Sequence, residues 1–106
     1  MVGITELKAY HQLNQKALEI HRKWDELDAH ELLPLAASLK EAAQPLSALG
    51  GEDWHRKKDM NRHLTCLVTY LGDDKKDECW TDIKDLIYSD LPALGYRLLA
   101  LADVPR

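Results

Sequence analysis

Apolar side chains return every three or four residues along almost the whole chain. Ile4, Leu7, Tyr10, Leu13, Ala17, Ile20, Trp24 and Leu27 form the first series, and that period sets them on one stripe of a helix from about residue 4 to about residue 27. Thr5 and Glu6 near its start suit a helix N-terminus. Asp28 can cap a second helix, whose stripe is Leu32, Leu35, Ala36, Leu39, Ala42, Ala43, Leu46 and Leu49. Pro34 is tolerable there only in the first turn, and Pro45 inside the pattern predicts a kink or an early stop. Gly50 and Gly51 then offer the left-handed conformation of a helix end, and Glu52 and Asp53 suit the N-terminus of a third helix.

The third stripe is Met60, Leu64, Leu67, Val68 and Leu71, stopped by Gly72. After "DDKKDE", Asp73 or Asp74 is the expected cap of a fourth helix carrying Cys79, Trp80, Ile83, Leu86 and Ile87. "SDLP" breaks the pattern again. Ser89 or Asp90 can cap, and Pro92 fits the first turn of a short fifth helix that buries Leu91, Leu94, Leu98 and Leu101, with Leu99 a further candidate. "ADVPR" reads as a frayed tail. No alternating β-branched run and no hairpin signal interrupts this. The expectation is an all-α fold: an antiparallel bundle of four main helices with a short fifth helix at the C-terminus, one domain over residues 1–106.

Composition narrows the class. Apolar residues are 45% of the chain and charged residues 30%, a balance that predicts a globular domain. The net charge of −4 disfavours nucleic-acid binding through bulk charge. No signal peptide and no spanning apolar run stands out, and Cys66 and Cys79 are too few for a disulfide scaffold, so a cytoplasmic protein off the membrane is expected. Both cysteines read as small buried hydrophobes.

Three constellations could carry chemistry. The first is "WHRKKDMNRH", residues 54–63. Arg56 and His63 lie seven apart, two helical turns from each other on one face. That pair resembles the Arg–His motif of the HEPN ribonucleases, which are also small helical bundles, although they usually carry a polar residue after the Arg where this chain has Lys57. The resemblance implies a metal-independent ribonuclease that works as a dimer. Its His63 would move the proton of a ribose hydroxyl, and its Arg56 would hold the scissile phosphate. The competing reading places Arg56 at the edge of the core stripe, stem packed and head in water, with Lys57, Lys58 and Arg62 as a solvated flank. Four positive residues against three acids between 52 and 63 make that face nearly neutral.

The second constellation is a metal set. His63 and Cys66 share a helical face, with Cys79 or His55 to join them, but no paired ligand motif of a zinc site appears. "DELDAHELLP" resembles the ligand helices of hemerythrin-like bundles, yet the further His ligands are missing, and Asp28, His30 and Glu31 suit a cap and first turn better. Neither a metal nor a cofactor is expected.

The third is acidic. Between Asp73 and Asp90 stand seven acids and three lysines. Asp74, Asp77, Glu78, Asp82 and Asp85 recur at three and four, as one helical face would require. With Trp80 beside them they compose a docking surface for another protein with a basic face. The favoured function is therefore a small docking or neutralising partner, immunity- or antitoxin-like, rather than an enzyme. "DLIYSDLP" resembles a stretch of the nuclease-colicin immunity proteins, though the surrounding motif is absent and the helix order differs. Heptad-like spacing in the first helix would also serve a homodimer.

Overall fold

The computed structural model describes residues 2–51 and 54–102. Among them the chain is all-α, and the apolar stripes do meet in one core. Helix α1 spans Ile4–Arg22, α2 Ala29–Leu49, α3 Lys57–Gly72, α4 Trp80–Asp85 and α5 Leu91–Leu101. A 3-10 turn over Lys76–Cys79 precedes α4, and a π turn over Leu86–Asp90 joins α4 to α5. The backbone stays right-handed helical at Leu86, Asp90 and Leu91, so α4, the π turn and α5 form the fourth rod of the bundle. The break expected at "SDLP" is thus a change of helical register. A proline ring cannot sit against the carbonyl four residues earlier, and the wider π turn just before Pro92 accommodates it.

Several boundaries differ from the sequence pattern. Helix α1 ends at Arg22, not near residue 27. Hydrogen-bonded turns follow, with Trp24 N–H donating to His21 at 3.3 Å and Leu27 N–H to Lys23 at 3.0 Å. They keep Trp24 buried and Leu27 against the core without helix. Glu6 does act at the start of α1, its carboxylate accepting from Gly3 N–H at 2.8 Å. Asp28 caps α2 as expected: it accepts from Glu31 N–H at 2.8 Å, and Glu31 accepts from Asp28 N–H at 3.3 Å.

Pro34 and Pro45 both lie inside α2, yet the helix runs on to Leu49. Each proline deprives one carbonyl, that of His30 or Glu41, of its helical donor. All four residues are exposed, so water can take the freed acceptors. Gly51 supplies the left-handed residue after α2 (φ 94°), whereas Gly50 remains right-handed. The Glu52–Asp53 start assigned to the third helix, and residues 103–106 of the expected tail, lie outside the described residues. After α3 the left-handed residue is Asp74 (φ 58°), not Gly72. No side-chain cap is made by Asp73 or Asp74 for the fourth rod, nor by Ser89 or Asp90 for α5.

The core is built from Leu13 and Ile20 of α1, Leu32 and Leu39 of α2, Met60, Leu64, Leu67 and Leu71 of α3, and Ile83, Leu86, Leu91 and Leu94 of the fourth rod. Leu101, expected in it, is exposed instead, and so is Leu99. Helix α1 lies antiparallel to the whole fourth rod. Val2 bridges Ala102 at one end, Tyr10 Oη donates to the Leu91 carbonyl at 2.6 Å in the middle, and His21 stacks on Trp80 at the other end. The middle contact needs Gly95, since a Cβ there would run into the Tyr10 ring.

Candidate functional site

The basic stretch and the acidic stretch meet on Asp90. This residue lies in the π turn, wholly buried, and so does not cap α5. Arg56, just ahead of α3, donates to Asp90 Oδ1 from Nε at 3.1 Å and from Nη2 at 2.8 Å. His63, two turns along α3, donates from Nδ1 to Asp90 Oδ2 at 2.5 Å. Each oxygen of the carboxylate therefore has a donor of its own, the condition for burying an ionised acid. Arg56 departs from the expectation that its head sits in water. Its side chain is 28% exposed, with the guanidinium turned inward.

His63 bonded at Nδ1 presents Nε2 to the opposite side, 3.6 Å from Asp85 Oδ2. Asp85 is half-exposed and marks where the cluster reaches the surface. Asp82 lies close by. Burial raises its carboxyl above the ordinary value of 3.8, His63 draws it down, Asp85 raises it, and Arg62 draws it down again. Arg62 itself pairs along α3 with Asp59 at 3.3 Å.

The five acids and Trp80 do not form one helical face. Asp74 sits in the turn after α3, Asp77 and Glu78 in the 3-10 turn, and Asp82 and Asp85 on α4. Asp74, Asp77 and Glu78 are exposed and make no ion pair among the described residues. Asp82 and Asp85 are half-buried and belong to the His63 cluster. Trp80 is half-buried too. Its ring stacks on His21 at 5.0 Å and tilts against Trp24 at 5.4 Å. Lys76 Nζ lies over Trp24 at 5.8 Å and donates to the Leu27 carbonyl at 2.8 Å, which locks the corner. Tyr88 meets His21 edge-on at 6.3 Å and is 67% exposed.

Cys79 is buried, and burial pushes its thiol up to about 11; Cys66 is half-buried. Both thiols are free. Among the described residues no group of three His, Cys, Asp or Glu side chains is placed to hold a metal ion. No described helix is long and apolar enough to cross a membrane. No family model, no curated protein and no solved structure matches this chain.

Proposed function

We propose that this protein is a docking module whose partner is another protein with a basic face. The observation that carries the reading is the corner after α3, where Asp74, Asp77 and Glu78 stand exposed and free of ion pairs among the described residues. Unpaired carboxylates keep their field available to steer and orient a cationic surface. The exposed Tyr88 flanks the aromatic cluster of Trp80 and His21, and an aromatic near a charged rim is a common interface composition. Such a face would suit a neutralising partner of the immunity or antitoxin kind, or an adaptor.

The test is partner capture by immobilised protein over a salt ladder. The expected partner is basic, leaves the resin by about 0.5 M salt, and is not retained by an Asp74→Asn/Asp77→Asn/Glu78→Gln variant. Capture that ignores both salt and the triple variant defeats the proposal.

One observation favours the second reading, a metal-independent ribonuclease: Arg56 and His63 converge on a single carboxylate that orients the imidazole. Against it, Arg56 commits Nε and Nη2 inward, where a phosphate-binding guanidinium would offer them outward. Cleavage of a generic RNA in the presence of a chelator, lost in His63→Ala, would establish this activity in place of docking alone.

A further inference from the structure

A second region has no part in the docking face. Between α2 and α3 lies a cleft of about 290 Å³. Lys40, Gln44 and Ser47 line it from α2, spaced four and three apart, so they share one edge of that helix. Lys57, Asn61 and Thr65 line it from α3 at intervals of four. Among the described residues the polar lining is two cations, two amides and two hydroxyls, with no acid, in a chain whose net charge is −4.

Ser47 singles the cleft out. The residue is 3% exposed, and its Oγ has no hydrogen-bond partner among the described residues. A buried hydroxyl without a partner is rare because it has given up water for nothing. Within a helix a serine commonly turns back to the carbonyl four residues earlier, but Ser47 does not. Lys40 makes no ion pair among the described residues. Lys57 has a partner of its own, so Lys40 and Ser47 carry the argument.

We infer that the cleft between α2 and α3 binds a small phosphomonoester, with Lys40 matching its charge and the Ser47 hydroxyl donating to it. Phosphate oxygens accept from hydroxyl, amide and ammonium donors alike, which are the groups assembled here. Gln44 and Asn61 can also accept from the hydroxyls of the organic part. Ligand sites usually enclose about 300–1,000 Å³, so this cleft suits a metabolite of a few carbons rather than a dinucleotide or an RNA strand.

The experiment is a heteronuclear NMR titration of the intact chain with glycerol 3-phosphate, with inorganic phosphate and glycerol as separate arms. Saturable shifts confined to residues 40–48 and 57–65 are expected with glycerol 3-phosphate, weaker ones with phosphate, and none with glycerol. Lys40→Gln and Ser47→Ala should each weaken binding by about tenfold or more. Lys40→Gln should leave the melting temperature of the unliganded protein unchanged, and Ser47→Ala should keep or slightly raise it, since among the described residues Lys40 makes no ion pair and the Ser47 hydroxyl no hydrogen bond. No saturable shift by about 10 mM ligand, shifts centred elsewhere, or unchanged affinity in both variants would overturn the assignment. A failure here leaves the acidic docking face untouched, because no residue is common to the two.

Discussion

Asp90 is the residue on which the polar interior turns. It is fully buried between Arg56 and His63, and its removal leaves the Arg56 guanidinium and the His63 ring N–H without their acceptor. Asp90→Asn keeps the shape and loses the charge, and should destabilise the fold by about 3–5 kcal/mol in a urea melt. A loss below about 1 kcal/mol would match an exposed ion pair and contradict the buried clasp. Asp82 behaves in the opposite sense. Its folded-state carboxyl titrates above its ordinary value, so the fold favours the protonated form and ionisation costs stability as pH rises through the folded value. Asp82→Asn should therefore raise the melting temperature slightly at pH 7. The gain should vanish below the ordinary value of 3.8, where the acid is protonated in both states. A gain that is independent of pH would point to packing instead. Neither role is legible along the chain. Asp90 follows a serine and precedes Leu-Pro, a local signal for a helix cap, and only the arrival of α3 from 34 residues away makes it an anchor.

At the scale of elements, local signals succeeded where the chemistry was local. The Asp28–Glu31 capping box closes within four residues and needs nothing from the rest of the fold. Asp28→Ala should cost about 0.5–2 kcal/mol, read as a lower denaturation midpoint with an unchanged slope. Loss below that range would mean α2 is held by packing alone. Local signals failed where context supplied the missing partner. Pro34 and Pro45 do not end α2: His30 and Glu41, whose carbonyls they leave without a helical donor, are exposed residues, so water can supply one. Helix α3 does end at Gly72, as its sequence signals, but the left-handed turn that follows falls on Asp74, a residue type that tolerates that conformation. Asp74, Asp77, Glu78, Asp82 and Asp85 look like one face only if a single helix is assumed. The 3-10 turn divides them into an exposed corner and a half-buried pair.

For the whole molecule, stability rests on the shared core between the rods. Leu67 of α3 is fully buried within it. Leu67→Ala should cost about 2–5 kcal/mol by leaving a cavity, and Leu99→Ala, exposed on α5, much less. Equal losses at the two positions in calorimetry would break the assignment of core and surface. The all-α class, the four rods and most of the buried residues were determined by the sequence itself, because a period of three to four apolar residues leaves a helix only one face to bury. What that period cannot contain is the pairing of rods. The antiparallel run of α1 along the fourth rod, the meeting of Arg56 and His63 with Asp90, and the lone hydroxyl of Ser47 in its cleft were decided by tertiary structure. Each depends on groups far apart along the chain, and only packing sets the distance between them.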